Sequence, residues 1–312
     1  MTFKGDNSIF GVKVEAAFAE TPSQGAQTIC LGITPNIDFS DEPEFKDYHS
    51  VNSNRDMITE AQGKINVTGT IPVEVQNGRI IYYGMGSHSV TGTNPYTHTV
   101  TGGATLPSLC LEGQYTGTNR FLRYYIGTKV NTLDLEAVEG GEVKSSISFI
   151  SAKGYKSTNT VSTVTQTTTT PFMYHKGAVT IDSYASYAVT TFKWSVNNNL
   201  KPIHTIRQTN GQYAQVVVEG KREYEITAEI VIQDVATYNT AIYDLLIAGT
   251  TFTTTIDVRR SANDSMVMTA SNCTMRGAPH NIPEPGEEVR VSVTIKPRSC
   301  SWTIVDAIAS YA

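Results

Sequence analysis

Hydrophobic and polar residues alternate along much of the chain with the period of two that is typical of β-strands. The clearest alternation covers residues 64–75 and 223–232, and each segment ends in an apolar run. Turn signals at residues 139–141 and 284–286 separate later segments of the same kind. The pattern predicts an extended segment or first strand at residues 11–22, and strands at residues 30–37, 108–114, 120–128, 131–138, 143–151, 251–259, 265–269, 273–277 and 289–296.

One segment has the period of a helix instead. It begins at Asp234, a suitable N-cap, and ends at Gly249, which can adopt the left-handed conformation common after helices. Its apolar residues fall on one helical face, namely Tyr238, Ile242, Leu245 and Leu246. Residues 77–86 occupy the corresponding place earlier in the chain, where glycines weaken the helical pattern.

The order of these segments indicates a duplication. Lys221 follows Lys64 by 157 residues, and Ile230 follows Ile71 by 159. The spacing falls to 146 for the later pair, Val143 and Val289, because the second half lacks a counterpart of residues 87–105. We therefore expect a longer loop at residues 87–105 and one folding unit that is present twice.

The two units are expected to be tandem domains. Residues 1–155 form the first predicted domain and residues 172–312 the second. The Ser/Thr-rich residues 156–171 between them contain almost no large apolar side chain, so they are predicted to be a linker. Each domain combines many strands with one helix, which predicts a β-sandwich or barrel with the helix at its side.

Each predicted domain also carries a long polar segment, which we interpret as a hairpin arm. The arm at residues 36–62 is acidic, whereas the arm at residues 196–220 is basic and has Asn210-Gly211, a strong hairpin signal, near its centre. The opposed charges suit a contact between an arm and a neighbour, although the same side chains could simply face water. Candidate contact residues are Asp41, Glu42, Glu44, Asp47, Arg55, Asp56, Lys201, His204 and Arg207.

Composition narrows the possible functions. Charged residues make up 17% of the 312 residues, where about 25% is usual, so partners could cover part of the surface. The net charge of −5 argues against tight binding to nucleic-acid phosphates. The four cysteines are far apart, which favours free thiols in a reducing compartment. No leader or apolar span is evident, so we expect a protein made in the cytoplasm without a membrane partner.

The sequence contains no pattern that predicts catalysis, a metal site or a cofactor. The six histidines lack neighbouring ligands at metal-binding spacing, and no nucleophile elbow or phosphate-binding loop is present. Glu112, Asp134 and Glu136 could pair as acid and base, but carboxylates that alternate on a strand more often form a hydrated face. We therefore expect a protein that builds a structure, and not an enzyme.

Several short motifs occur in a fixed order, namely residues 11–18, residues 31–35, Gly63-Lys64 before a strand, Pro107 at a strand start, and residues 127–131. This ordered set resembles the major tail tube proteins of long-tailed (siphovirus-like) viruses of bacteria and archaea. The resemblance covers most of the first half and, through the repeat, the second. It implies stacked rings of packed sheets with a central lumen, arms that reach adjacent subunits or rings, and six domains per ring. Two domains per chain then imply a homotrimer with pseudo-hexameric symmetry.

The resemblance further implies a role in the virion tail. The tube would conduct viral DNA during ejection without binding it specifically, and it would contact further copies of the chain, the tape-measure protein and other tail proteins. Carboxylates facing the lumen would repel phosphates over roughly 8 to 10 Å, the Debye length. The candidates are strand residues Glu74, Glu112, Asp134, Glu136, Glu225 and Glu229.

Other functions remain open at this stage. The same fold builds the inner tube of contractile injection and secretion machines, and tail terminators, baseplate hubs and capsid decoration proteins are further virion parts. A carbohydrate-binding β-sandwich would need exposed aromatic residues on one face. Tyr82-Tyr83 and Tyr124-Tyr125 are the candidates, but adjacent strand residues point to opposite faces.

Overall fold

The computed structural model describes residues 8–51, 55–115, 121–157, 162–182, 184–186, 189–232, 234, 238–279 and 284–312. The described chain is mainly β, as the alternation predicts. Its strands are β1 Ser8–Val14, β2 Asp38–Tyr48, β3 Thr59–Glu74, β4 Gly86–Thr91, β5 Tyr96–Gly102, β6 Leu109–Tyr115, β7 Phe121–Val138, β8 Lys144–Ser151, β9 Lys153–Ser157, β10 Gly177–Ile181, β11 Tyr184–Ser186, β12 Val189–Asn197, β13 Lys201–Ile203, β14 Val216–Val218, β15 Glu223–Val231, β16 Phe252–Ser261, β17 Asp264–Gly277, β18 Arg290–Lys296 and β19 Ser299–Asp306.

Two short α-helices lie within the described ranges. Helix α1, Arg79–Met85, follows β3 and is almost entirely buried. Helix α2, Asp244–Ala248, continues from a π-helical turn at Asn239–Tyr243 and ends at Gly249, whose φ of 62° lies in the left-handed region. A 3₁₀ turn at Tyr174–Lys176 precedes β10. Both helices lie within the predicted segments, although Asp234 is separated from the helix by residues 235–237, which are outside the described part.

A long antiparallel sheet crosses both halves of the chain. Its strand order is β2-β3-β8-β7-β12-β15-β18-β17, and we call it the eight-strand sheet. The first half supplies β2, β3, β8 and β7, and the second half supplies β12, β15, β18 and β17. The two halves meet where β7 pairs with β12, from Thr132↔Asn197 to Thr191↔Val138. The backbone of the sheet is therefore continuous across the predicted domain boundary.

A smaller sheet packs behind each half. The first has the order β1-β6-β7-β9, and the second has the order β4-β5-β19-β17-β16-β10-β11. Six of the strand pairings within each half correspond to each other. The pairs β1–β6, β6–β7, β7–β9, β7–β8, β3–β8 and β2–β3 of the first half match β10–β16, β16–β17, β17–β19, β17–β18, β15–β18 and β12–β15 of the second.

The strands β7 and β17 each belong to two sheets. Sequence alternation predicts two strands in each region, but the chain continues without a break and bends between the sheets. At the bends the backbone φ is 60° at Gly127 and 52° at Asn272. Thr128, next to the first bend, donates its hydroxyl to the carbonyl of Tyr125. The buried hydroxyl of Thr128 is thereby satisfied within the strand.

Among the described residues, one large hydrophobic cluster extends through both halves, and two small clusters are separate from it. The large cluster forms because the inward positions of the eight-strand sheet are apolar, as in β15, where every second residue is buried. Trp194 of that sheet meets Trp302 of β19 edge to face, with ring centroids 5.2 Å apart. Both indoles are fully buried. The four cysteines are also buried as free thiols.

Two local predictions are wrong. Residues 87–105 are mostly not a loop, because β4 and β5 form a hairpin there and β5 pairs with β19 of the second half. The hairpin is rich in Ser and Thr, so it lacks the apolar contrast that marks a strand. Residues 30–37 form no strand and make only an isolated bridge, Ile33↔Glu74. Arg120, residues 158–161 of the predicted linker and His280 lie outside the described residues.

Candidate functional site

The outer face of the eight-strand sheet is polar and carries most of the predicted lumen residues. Alternation places Glu74, Asp134, Glu136, Glu225 and Glu229 at the non-buried positions of their strands. Strand register brings them onto the same side, since Ser146, Asp134, Ser195 and Glu225 are consecutive cross-strand neighbours. Five of the six candidate carboxylates therefore share one face.

Cations on the same face form an alternating row with these carboxylates. In register across four strands lie Glu74, Lys144, Glu136 and Lys193. Lys193 contacts Asp134 with an N···O distance of 3.1 Å, and Arg290 lies 3.4 Å from Glu229. The hydrogen bond to Glu142, 2.9 Å long, raises the pKa of Lys144 and lowers that of Glu142. The face is thus highly charged but mixed in sign.

Glu112 does not belong to this face, which corrects its assignment as a lumen residue. It lies on β6 in the smaller sheet of the first half and is 1% exposed. Its two carboxylate oxygens accept hydrogen bonds from the backbone N–H and the hydroxyl of Ser162, at 2.9 and 2.6 Å. The hydroxyl of Ser162 also lies 3.0 Å from Gln27 Oε1. Glu112 therefore anchors the segment between the halves to the first half.

The first arm is a hairpin of β2 and β3 whose outer part projects into solvent. Its ladder runs from Asp38↔Thr70 to Tyr48↔Thr59. The last seven residues of β2 are all exposed. Asp41, near the base, forms an ion pair with Arg123 of β7, and Glu44 lies 3.5 Å from Lys64 within the hairpin. The remaining predicted contact residues of this arm are exposed, namely Glu42, Asp47, Arg55 and Asp56.

The second arm folds back on the first half. Its strands β13 and β14 pair from Lys201↔Val218 to Ile203↔Val216, and Asn210 lies in the turn with a φ of 59°. His204 Nε2 is 3.3 Å from the carbonyl oxygen of Ile65, whereas Lys201 is exposed. Arg207 donates to Gln215 within the arm, at 2.6 Å. Only His204 of the three predicted contact residues therefore touches the other half.

Sequence reasoning missed several residues of these surfaces. Lys144, Lys193 and Arg290 are cations of the charged face, and their positions follow from strand alternation once the buried side is known. The exposed apolar side chains of the first arm were also missed. They are Phe45, Tyr48, Val51, Met57 and Ile58. Exposed apolar residues close together on a projecting hairpin are a signal of a contact surface.

The histidines include one buried network. His98 Nε2 lies 2.8 Å from the carbonyl oxygen of Ile308 and 3.2 Å from Asp306 Oδ1, and His98 Nδ1 lies 2.7 Å from His88 Nε2. The ring of Tyr311 stacks on His98. Across the described ranges, no group of three or more His, Cys, Asp or Glu side chains could hold a metal ion.

The described chain is a mainly β protein with two hairpin arms and a charged sheet face. A protein-family model described as "Phage tail tube protein" matches residues 5–297. Because this match covers most of the chain, the protein belongs to the phage tail tube protein family. No curated protein matches the sequence.

Membership assigns the protein to a structural family of the virion tail, whose members assemble with themselves and with other tail proteins. The mainly β fold agrees with the resemblance noted in the sequence. In the part of the chain that the structure describes, the helices are too short or too polar to cross a membrane.

Proposed function

We propose that three copies of this chain form a ring, and that stacked rings form the tube through which viral DNA is ejected. The observation that carries the proposal is the matching set of strand pairings in the two halves. Together with the left-handed bends at Gly127 and Asn272, it supports a duplicated tube domain. Three duplicated chains supply six similar domains, which gives a trimer pseudo-hexameric symmetry.

The junction inside the chain suggests how copies meet. The first half joins the second through β7, which pairs with β12. In the matching scheme β17 corresponds to β7 and β2 corresponds to β12. The same junction between chains would therefore pair the end of β17 in one copy with β2 of the next. These strands are the two ends of the eight-strand sheet, so repeated head-to-tail contacts can close a ring.

In this ring the charged face of the eight-strand sheet lines the lumen. Its carboxylates repel DNA phosphates within about 8 to 10 Å. Lys144 and Lys193 carry the opposite charge on the same face, so the repulsion is not uniform along the wall. Hydroxyl side chains such as Ser146 and Ser195 hydrate the surface between the charges. DNA then slides through without specific binding. The tape-measure protein and other tail proteins are the remaining proposed partners, and assembly takes place in the host cytoplasm.

The purified chain tests this proposal directly. Native mass spectrometry should give three chains per ring, and electron microscopy should show stacked rings with a central channel. Single rings that do not stack would indicate a terminator or hub instead. A chain that stays monomeric at high concentration would contradict the tube. A contractile injection machine would be recognised by a sheath around the same tube.

A further inference from the structure

The second arm occupies a defined place on the first half. The backbone N–H of Ile65 in β3 donates to the carbonyl of Gln212, at 2.7 Å. Lys153, the first residue of β9, lies 3.4 Å from Asn210 Oδ1 and 5.0 Å from the centre of the Tyr213 ring. The start of β9 and this part of β3 therefore hold the tip of the arm.

The matching place in the second half is an open cavity. By strand pairing, β15 corresponds to β3 and β19 corresponds to β9. A cavity of about 470 Å³ lies there, lined by Arg222 and Tyr224 at the start of β15 and by Arg298 and Ser299 at the start of β19. We call this cavity the arginine socket. Its lining includes no carboxylate.

The two arginines make the socket positive. Arg222 is fixed in place, since it donates to Asn198 Oδ1 and to the carbonyl of Gly103, both at 2.9 Å. Arg298 is exposed, and none of the ion pairs between described residues includes it. An unpaired guanidinium beside hydroxyl groups fits a carboxylate ligand, which it can bind through two parallel hydrogen bonds.

The first arm has the complementary chemistry. Residues 42–60 contain five carboxylates and only two Lys or Arg side chains, whereas residues 200–218 of the second arm contain no carboxylate. The first arm also has exposed apolar side chains. Phe45, Tyr48 and Val51 are 53%, 49% and 101% exposed. The first arm is therefore acidic, opposite in charge to the basic socket, and it has exposed apolar side chains that could enter the open cavity.

We propose that the first arm of one copy docks in the arginine socket of another copy. The contact would repeat between chains the docking of the second arm within a chain, and would pair arm carboxylates with Arg298. This inference rests on the proposed assembly of copies and adds a specific residue-level contact to it. The candidate carboxylates are Glu42 and Asp47, which are exposed on β2.

Site-directed crosslinking tests the contact without disturbing the arginines. One preparation carries Asp47→Cys and a second carries Ser299→Cys, and the four native cysteines are buried. After mixing, assembly and treatment with a short bismaleimide, we expect covalent dimers only in assembled material. A matched control carries Ser261→Cys, at the last residue of β16, which pairs with Asp264 at the start of β17 and is not part of the socket lining. It should give no dimers with the Asp47→Cys chain.

Charge reversal tests the energetics. Arg298→Glu should slow assembly at least tenfold, and adding Glu42→Lys and Asp47→Lys to the same chain should restore it. Lys176→Glu, an exposed reversal outside the socket, should leave the rate unchanged. Rings that form at the normal rate in the Arg298→Glu variant, without crosslinks between positions 47 and 299, would overturn the docking alone. A wild-type chain that forms no ring would contradict the proposed function itself.

Discussion

Gly127 and Asn272 occupy matching bends, each at the point where a long strand leaves a smaller sheet and enters the eight-strand sheet. Their φ angles are 60° and 52°. The backbone N–H of Gly127 donates to both carboxylate oxygens of Glu15, each at 3.1 Å. A bend of the same hand at the same place in both halves fixes how each smaller sheet packs behind its part of the large one.

The two bends should respond differently to substitution. A Cβ at Gly127 would lie 2.7 Å from Ala152 Cβ and 3.0 Å from the Phe18 ring, in addition to the cost of a positive φ. We expect Gly127→Ala to lower the free energy of unfolding by about 2–4 kcal/mol in urea titrations. Asn272→Gly is the matched control, with a change within about 0.5 kcal/mol. Equal costs at the two positions would contradict this account.

The contact between Trp194 and Trp302 should contribute strongly to stability. Both rings are fully buried where the eight-strand sheet meets β19. Trp302→Ala should therefore lower the free energy of unfolding by about 3–5 kcal/mol, because it leaves a large cavity. Trp302→Phe, which keeps an aromatic ring, should cost clearly less. The test is chemical denaturation followed by fluorescence of the remaining tryptophan, and an equal loss for both variants would argue against a packing effect.

Ser162 should hold the segment between the halves against β6. Ser162→Ala removes the 2.6 Å hydrogen bond to Glu112 and leaves a buried carboxylate with one donor fewer. We expect a loss of about 1–3 kcal/mol and faster proteolysis between the halves. In the Glu112→Gln background the same change should cost less, because no buried charge remains. Additive costs in this double-mutant cycle would show that the two side chains act independently.

Acid should weaken the contact between the β4–β5 hairpin and the C-terminal segment. Burial, and then the nearby His98, lower the pKa of His88 in the folded protein, so the unfolded chain binds the proton more tightly. His88 therefore stabilises the fold above its ordinary pKa of about 6.5, and this stability is lost as the pH falls. The groups around the His88 ring are His98, Asp306, Tyr311 and Tyr82.

Melting temperatures at pH 7.5, 6.5 and 5.5 provide the measurement. The wild type should lose stability across this range, and His88→Gln should reduce the slope. His175→Gln, at an exposed histidine, is the control and should keep the wild-type slope. If both variants behave like the wild type, His88 does not contribute to the acid sensitivity.

Sequence alone predicts the elements that are defined by local contrast. Strands β3, β8, β15 and β18 alternate cleanly because one side of each is buried, and that same alternation places five carboxylates on one face. The β4–β5 hairpin is missed because Ser and Thr occupy its outer positions and His98 replaces an apolar residue inside. Its stability depends on pairing with β19, which is distant in sequence.

The roles of Glu112 and the second arm could not be predicted for the same reason. A carboxylate on a strand is predicted to be exposed unless a buried partner is known. The partner of Glu112 is Ser162, which lies in a segment without hydrophobic periodicity. The contact of Gln212 with Ile65 uses backbone groups, which carry no sequence signal. Surfaces that follow from local alternation can therefore be predicted from the sequence, whereas surfaces that depend on contacts between distant residues require the fold.

Reversing the charge of the sheet face should impede DNA without preventing assembly. Replacing Asp134, Glu136 and Glu225 with Lys puts three new cations per chain on the proposed lumen wall, where each can bind phosphate. The lost Asp134–Lys193 pair is partly exposed and costs under about 1 kcal/mol, so rings should still form. We expect DNA ejection to slow at least about tenfold at 0.15 M salt and to recover at higher salt, where phosphate contacts weaken.

The control with the same net charge replaces Asp244, Glu284 and Glu287 with Lys, because these three residues are exposed outside the sheet face. Because only the position of the charge differs, equal ejection rates for the two variants would place the sheet face outside the DNA path.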